Sequence, residues 1–125
     1  MPKKIGILTS GGDCAGLNAV IRATTLRAVN KYGWRVFGIK DGILGLTTDP
    51  LNVIELKPTD FDGALMRMGG TFLGTSNKGN PFHMNQDNGK TVDLSDKIIQ
   101  NFQKLNLYAL IGVGGDGSMK ILQKL

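Results

Sequence analysis

The sequence predicts an α/β domain whose central β-sheet is largely parallel. Short apolar runs alternate with segments whose apolar residues recur at helical spacing, and this alternation is typical of α/β domains. Two of the apolar runs end in glycine-rich turns that lead into a helix pattern. Glycine makes up 18 of 125 residues, about twice its usual share of roughly 7%. These glycines gather at a few points where the backbone must bend or approach something closely.

The first part of the chain predicts a strand, a helix and a second strand. Residues 5–9 are a short apolar run that indicates a buried strand, and a glycine turn follows it. Gly33 is well placed to stop the helix. Residues 34–39 then predict the second strand, which completes a βαβ unit with a right-handed crossover. The apolar stripe of the helix consists of Leu17, Val20, Ile21, Thr24 and Ala28.

The middle of the chain is predicted to be less regular. Residues 41–56 contain two glycines and a proline, and only residues 53–56 favour a small strand. Thr59 is predicted to cap a helix that ends at Gly69 and Gly70, with two acidic residues in its first turn. Residues 75–90 are polar and predict a long surface loop.

The last third predicts a helix, a strand and another helix. Residues 94–105 show helical spacing of apolar side chains, and residues 108–113 are an apolar strand. A final helix is predicted to begin near Ser118 and to stop at Leu125. Because a domain of this class would rarely stop on a helix with no strand to return to, residues 1–125 are expected to be an incomplete domain.

Composition and charge exclude several classes of protein. Fifteen Lys and Arg against ten Asp and Glu give a net charge of +5, which indicates a solvated basic surface or an attraction for anions such as phosphates. There is no zinc finger, RNA-binding signature or basic run interleaved with aromatics, so no nucleic-acid partner is expected. A single cysteine, Cys14, and the lack of a membrane-length apolar run favour a cytoplasmic protein without a membrane partner. Neither Cys14 nor the lone His83 has the partners that catalysis or metal binding requires.

Two glycine-rich turns are candidates for phosphate binding, because each follows a strand at the edge where parallel sheets bind ligands. They are Gly11-Gly12-Asp13 and Gly114-Gly115-Asp116-Gly117-Ser118. Glycine lets backbone N–H groups approach phosphate oxygens, and a helix N-terminus favours an anion. The carboxylate of Asp116 suits Mg²⁺, and Ser118 is predicted either to cap the last helix or to touch a phosphate. Tight packing alone would also explain such turns, and neither fits the Walker or the dinucleotide pattern.

Four blocks of the sequence, in order, resemble those of the phosphofructokinase family. The blocks are Thr9-Ser10-Gly11-Gly12-Asp13 with Gly16 and Asn18, Asp41-Gly42-Ile43-Leu44-Gly45-Leu46, Gly69-Gly70-Thr71-Phe72-Leu73-Gly74-Thr75-Ser76, and Gly114-Gly115-Asp116-Gly117-Ser118. They are spread in order over nearly the whole chain. The resemblance implies a three-layer, Rossmann-like α/β fold, of which residues 1–125 are a truncated ATP-binding domain without the substrate-binding remainder.

The resemblance also implies a function. Phosphofructokinases transfer a phosphoryl group from ATP to the 1-hydroxyl of fructose 6-phosphate in glycolysis, with Mg²⁺ as cofactor, and are usually homotetramers. Asp116 would be the magnesium ligand. Gly117 favours ATP, because many pyrophosphate-using members have Asp there. The implied nucleotide-binding residues are Gly12, Asn77, Lys78, Gly115, Asp116, Gly117 and Ser118.

The chain departs from the family pattern at several positions. Bacterial members carry an Arg where this chain has Asn77, so Lys78 would have to supply that charge. The effector site of allosteric members uses two Arg on the first helix; Arg22 matches one, but Leu26 stands in place of the other. The catalytic Asp of the family lies in a Thr-Ile-Asp-Asn-Asp block that would follow Leu125. The 125-residue chain is therefore expected to be inactive.

Three other interpretations stay open. The chain could use pyrophosphate instead of ATP, or it could be an inactive truncated remnant. The third interpretation is an enzyme like NAD kinase or diacylglycerol kinase, whose members use a similar Gly-Gly-Asp-Gly-Thr turn but lack the first and third blocks.

Overall fold

The computed structural model describes residues 2–10, 16–48, 50–61, 70–75, 81–82, 84–85 and 89–125. Within these residues, four strands form one sheet in the order β3-β2-β1-β6, and two short strands form a separate pair. The strands are β1 (Lys4–Thr9), β2 (Arg35–Ile39), β3 (Val53–Leu56), β4 (Met84–Asn85), β5 (Thr91–Val92) and β6 (Ala109–Val113).

The sheet is largely parallel, as predicted. The central strand β1 pairs in parallel with β2 on one side and with β6 on the other. Ile5 lies opposite Val36 in β2 and opposite Ala109 in β6. β3 runs antiparallel to β2, because a 3₁₀ turn at Gly42–Leu46 helps to reverse the chain between them.

Helices cover the sheet on both faces, which gives three layers. On one face lies α1 (Leu17–Leu26), which continues into a π-helical turn at Arg27–Lys31. On the other face lie α2 (Ser95–Lys104) and α3 (Asp116–Lys124). One core cluster joins Ile5, Ile7, Ile21, Ala28, Val36, Leu56 and Leu73, and a second joins Leu8, Ile39, Ile43, Leu46 and Ile98. In the described part of the chain, no helix is long and apolar enough to cross a membrane.

The predicted stop of the first helix at Gly33 is confirmed. Gly33 has a φ of +67°, a left-handed conformation that glycine adopts readily. Its N–H donates to the carbonyl of Val29 at 3.1 Å, and the N–H of Trp34 donates to the carbonyl of Ala28 at 3.0 Å. These two bonds satisfy carbonyls at the helix end and direct the chain into β2.

Two predictions for the middle of the chain were wrong. Residues 75–90 are not only a loop, since β4 pairs with β5 and places Met84 opposite Val92. Thr59 does not cap a helix; a 3₁₀ turn at Pro58–Asp60 begins after Lys57, whose N–H donates to Oδ2 of Asp60 at 2.7 Å. Proline fits the first position of such a turn, because the missing N–H needs no partner there. The rest of that predicted helix, at residues 62–69, lies outside the described residues.

An exposed ion pair joins β2 to β3. Nε of Arg35 lies 2.7 Å from Oε1 of Glu55, and the guanidinium makes a second bond of 3.1 Å to Oε2. The hydrogen bond from Arg35 holds the pKa of the Glu55 carboxyl below its ordinary value. Any stabilisation from the pair is therefore present above the ordinary pKa of Glu and is lost as pH falls through the lowered value. Because both groups face solvent, the contribution is small.

Candidate functional site

The carboxyl ends of the neighbouring parallel strands β1 and β6 lie side by side. Thr9 pairs with Val113, and the N–H of Ser10 donates to the carbonyl of Val113 at 2.9 Å. From β1 the chain passes to β2, which is its neighbour on one side, and later to β6, which is its neighbour on the other side. The strand order therefore reverses between β1 and β6, and ligands of open α/β sheets bind at such a reversal.

Gly114 and Gly115 connect β6 to α3, and they differ in their surroundings. A Cβ on Gly114 would lie 2.8 Å from the carbonyl oxygen of Ser10 and 2.8 Å from Oγ of Ser118, so this position is tightly packed. A Cβ on Gly115 would meet no atom within 4 Å. Gly115 has a φ of −91°, which other residues also adopt, so its backbone does not require glycine.

The first turn of α3 borders this open space. Gly115 is the N-cap residue, and no side chain caps the helix there. Its carbonyl accepts the N–H of Met119 at 3.1 Å, the first hydrogen bond of the helix. The preceding N–H groups have no partner within a helix, and together with the helix dipole they suit an anion.

Ser118 does not cap α3, so that alternative was wrong. Gly115 occupies the N-cap position, and the hydroxyl of Ser118 lies against Gly114 instead. A small cleft beside it is lined in part by Leu8, Ser10 and Val113. The contact between Ser118 and a phosphate stays a prediction.

Residues 70–75 attach to the carboxyl end of β1 through a buried threonine. Thr9 is fully buried, and its Oγ1 donates to the carbonyl of Gly74 at 3.0 Å. The hydroxyls of Thr9 and Thr71 share a second hydrogen bond of 2.9 Å. Oγ1 of Thr71 also accepts the N–H of Leu73 at 3.2 Å. Parts of the first and third sequence blocks are therefore joined at the edge of the sheet.

Residues from α1 and from the end of β2 hold the same segment. The N–H of Phe72 donates to Oδ1 of Asn18 at 2.8 Å, and Nζ of Lys40 donates to the carbonyl of Phe72 at 3.2 Å. The N–H of Asp41 donates to the carbonyl of Leu73 at 2.8 Å. Asp41 has a left-handed φ of 59°, which Asp tolerates better than most residues. Parts of the second block thus join the first and third.

Sequence reasoning gave no individual role to Thr9, Asn18, Lys40 or Thr71. Their hydrogen bonds position backbone around the ends of β1 and β2. A signal for two of them was available in the sequence. Thr9 ends an apolar run, Asn18 lies beside the apolar stripe of α1, and a polar side chain buried in such a place needs a hydrogen-bond partner.

Replacing Thr9 with Val is expected to loosen the attachment of residues 70–75. Val keeps the shape of Thr but cannot donate to the carbonyl of Gly74, so the free energy of unfolding should fall by about 1–3 kcal/mol. Urea denaturation followed by the fluorescence of Trp34 would measure this change. Thr91→Val is the control, since Thr91 is exposed and the substitution should change stability by no more than about 0.5 kcal/mol. Equal effects of the two substitutions would contradict the prediction.

The structure describes part of the predicted nucleotide-binding set. Gly115 and Ser118 lie at the carboxyl edge of the sheet, and the backbone of Asp116 and Gly117 begins α3 beside them. Arg22 is exposed on α1. The predicted site residues outside the described part are Gly12, Asn77 and Lys78, and Cys14 and His83 also lie outside it.

Magnesium binding by Asp116 has a chemical basis in the donor set. The described residues contain no group of three or more His, Cys, Asp or Glu placed to hold a metal ion. Mg²⁺ usually needs no such group, since it binds through one or two carboxylates together with phosphates and water. Asp116 is the first residue of α3 and follows Gly115 directly in the chain. Magnesium binding by Asp116 stays a prediction.

Comparison with known sequences gives one family. The phosphofructokinase family matches residues 4–125. ATP-dependent 6-phosphofructokinase 1 of Synechocystis sp. is 53% identical over 123 residues, which cover 98% of this chain and 34% of the relative. The protein of the same name from Nostoc sp. is 52% identical over 123 residues, with the same coverage of both chains. The chain spans about a third of the length of the curated relatives it matches.

Comparison with solved structures supports the fold. The structure of Pichia pastoris phosphofructokinase in the T-state matches with a TM-score of 0.80 and 34% identity, over 99% of this chain and 12% of that chain. Saccharomyces cerevisiae phosphofructokinase matches with a TM-score of 0.72 over 98% of this chain and 14% of that chain. The second pair is 24% identical and bears on the fold alone. The predicted three-layer α/β fold is confirmed.

Proposed function

Since the chain belongs to the phosphofructokinase family, we propose that it is the nucleotide-binding part of an ATP-dependent 6-phosphofructokinase. Such an enzyme transfers the γ-phosphoryl group of ATP to the 1-hydroxyl of fructose 6-phosphate. The observation that carries the proposal is the open space at Gly115, which the first turn of α3 borders where the strand order reverses. The names of the relatives support ATP as the donor.

In this proposal the start of α3 binds the phosphates of ATP. Its N–H groups donate to phosphate oxygens, and the missing side chain at Gly115 lets those oxygens approach the backbone. Ser118 adds a hydroxyl, and Gly12 and Lys78 add a backbone contact and a positive charge. Asp116 would hold Mg²⁺, which neutralises charge on the phosphates when it is bound.

Gly117 favours ATP over pyrophosphate as the donor. An Asp at this position, as in many pyrophosphate-using relatives, would bring a side chain and a negative charge toward the α-phosphate. Glycine avoids both effects. Gly117 is the second residue of α3, which begins just after the tightly packed Gly114.

We propose that residues 1–125 are a truncated ATP-binding domain. The catalytic Asp and the fructose 6-phosphate site would then lie in the part of the enzyme that relatives contain and residues 1–125 do not cover. The chain alone then binds nucleotide without transferring a phosphoryl group. The full-length enzyme would act in the cytoplasm as a homotetramer, as family members usually do. The match of residues 4–125 to the phosphofructokinase family favours that family over the alternative of an NAD-kinase-like enzyme.

Gly115→Ala tests the proposed phosphate site. The added methyl group would enter the space assigned to phosphates, so the affinity for MgATP should fall roughly tenfold, the effect of about 1.4 kcal/mol. Stability should not fall, because the methyl group meets no protein atom within 4 Å. Isothermal titration calorimetry and urea denaturation would measure the two quantities. Lys97→Ala, which removes an exposed cation from α2, is the control.

The outcomes are distinct. Unchanged ATP affinity in Gly115→Ala would place the phosphates elsewhere. Tighter binding of magnesium pyrophosphate than of MgATP would indicate that pyrophosphate, not ATP, is the phosphoryl donor. Phosphorylation of fructose 6-phosphate by the 125-residue chain would overturn the proposal that its catalytic base is missing.

A further inference from the structure

The edge of the sheet opposite the proposed ATP site carries aromatic and basic side chains close together. β1, β2 and β6 all begin at this edge. The N–H of Arg35 donates to the carbonyl of Lys3 at 2.9 Å, and the N–H of Tyr108 donates to the carbonyl of Lys4 at 2.6 Å. The start of β1 is thus held between the other two strands. We call Lys3, Lys31, Tyr32, Trp34 and Tyr108 the basic-aromatic edge.

The three rings of this edge form a row. The ring centroids of Tyr32 and Trp34 are 5.1 Å apart, and those of Trp34 and Tyr108 are 6.0 Å apart. Nζ of Lys3 lies 5.4 Å from the Trp34 ring and 4.1 Å from the Tyr108 ring, and Nζ of Lys31 lies 5.9 Å from the Tyr32 ring. The two outer rings are accessible, since Tyr32 is 52% and Tyr108 62% exposed.

The charge around the row is positive. Arg35 follows Trp34 directly, and Lys4 follows Lys3. Lys57 follows Leu56, which pairs with Val36 of β2 and so places Lys57 near Arg35. Glu55 lies among these cations and is bound by Arg35. Within the described ranges, neither Lys3 nor Lys31 is in an ion pair. A ligand for this edge is therefore an anion, and a second copy of the chain would meet like charge.

We propose that the basic-aromatic edge binds single-stranded nucleic acid. Proteins that bind single strands combine cations that attract the phosphate backbone with exposed aromatic rings on which bases stack. The edge offers both, with an accessible ring on each side of Trp34. The sequence alone predicts no nucleic-acid partner, because these residues are scattered from position 3 to position 108 and no contiguous run displays them. The proposal goes beyond phosphoryl transfer and does not depend on it.

Trp34 makes the proposal directly measurable, since it is the one tryptophan of the chain. An oligothymidylate of about a dozen nucleotides, within the usual site size of a single-strand-binding domain, would be titrated into the 125-residue chain at low salt. We expect a saturable change in Trp34 fluorescence that persists with MgATP in excess. Failure of the ATP proposal alone would leave this signal intact, because the two sites lie at opposite edges.

Two variants separate the contributions of ring and charge. Tyr108→Ala should weaken binding roughly tenfold through the lost stacking, while its exposure predicts a folded protein. Lys3→Ala should reduce the slope of log affinity against log salt by about 0.7, the value for one phosphate contact of a single strand. Lys97→Ala, on α2, is the matched control and should leave affinity and slope unchanged. Circular dichroism would check that each variant is folded.

Other outcomes would overturn the proposal. If oligoglutamate of equal charge binds as tightly and changes Trp34 fluorescence equally, the edge recognises acidic protein segments. If vesicles containing phosphatidylserine change the fluorescence and the oligonucleotide does not, it recognises anionic lipid. No change with the oligonucleotide, or equal affinity for wild type and Tyr108→Ala, also overturns it.

Discussion

Replacing Leu73 with Ala is expected to lower the free energy of unfolding by about 2–5 kcal/mol, the usual cost of truncating a buried leucine. Leu73 is fully buried in the core cluster on the α1 side of the sheet. It occupies the space above Gly38 in β2, where a Cβ would lie 2.6 Å from Cδ2 of Leu73. This loss is large, because a domain typically has only about 5–15 kcal/mol of stability.

The same substitution should weaken nucleotide binding. The carbonyl of Leu73 accepts the N–H of Asp41, and the N–H of Leu73 donates to Oγ1 of Thr71. The hydroxyl of Thr71 is hydrogen-bonded to that of Thr9 at the end of β1. Urea denaturation and calorimetric titration with MgATP would measure stability and affinity.

Val20→Ala is the control for Leu73→Ala, because Val20 is 42% exposed on α1. Its free energy of unfolding should change by no more than about 0.5 kcal/mol. If Leu73→Ala changed stability no more than Val20→Ala, the packing of residues 70–75 on the sheet would be refuted.

Replacing Gly45 with Ala is the second large effect, expected to cost about 3 kcal/mol, the upper part of the usual range for overpacking. A Cβ on Gly45 would collide with the carbonyl oxygen of Lys40, lie 2.8 Å from Cγ2 of Ile39 and lie 3.0 Å from the carbonyl oxygen of Asn52. Two of these atoms belong to the backbone, which cannot move aside as a flexible side chain can. The N–H of Asn52 also donates to the carbonyl of Gly45 at 3.1 Å, so the turn is held in place from both sides.

Gly115→Ala is the matched control, since both changes add one methyl group to a glycine. Thermal or urea unfolding should show a large loss of stability for Gly45→Ala and none for Gly115→Ala. A Cβ at position 115 would meet no atom within 4 Å. Similar losses at both positions would contradict the packing described for the turn. The expected result would show that close packing requires Gly45, and the second sequence block would then have a structural role at this position.

The strands and helices were largely predictable because their patterns are local. The apolar runs at β1 and β6, the stripe of α1 and the glycine at its end each follow from neighbouring residues. Val20, which the stripe included, is exposed instead. The direction of β3 was not predictable in this way, because it depends on how the 3₁₀ turn at Gly42–Leu46 redirects the chain. The pairing of β4 with β5 was also missed, since two residues per strand are too few for a periodic signal.

The site was predictable in its chemistry but not in its packing. Glycines after a strand indicated a phosphate site, and the structure brings the ends of β1 and β6 together as that prediction requires. Sequence could not distinguish Gly114 from Gly115, although the first is packed against Ser10 and Ser118 and the second is open. Part of that difference arises from the carbonyl oxygen of Ser10, which follows β1 and is far from Gly114 in the sequence. The basic-aromatic edge was missed for the same reason.

The central place of β1 has a consequence for synthesis of the protein. β1 precedes both of its partner strands in the chain, and Ile5 pairs with Val36 on one side but with Ala109 on the other. Ribosomes add about 5–20 residues per second, so β6 is made roughly 5–20 s after β1. During that interval an apolar strand has unpaired N–H and C=O groups along one side, which favours aggregation. The nascent chain therefore exposes this unpaired side of β1 until β6 has left the ribosome.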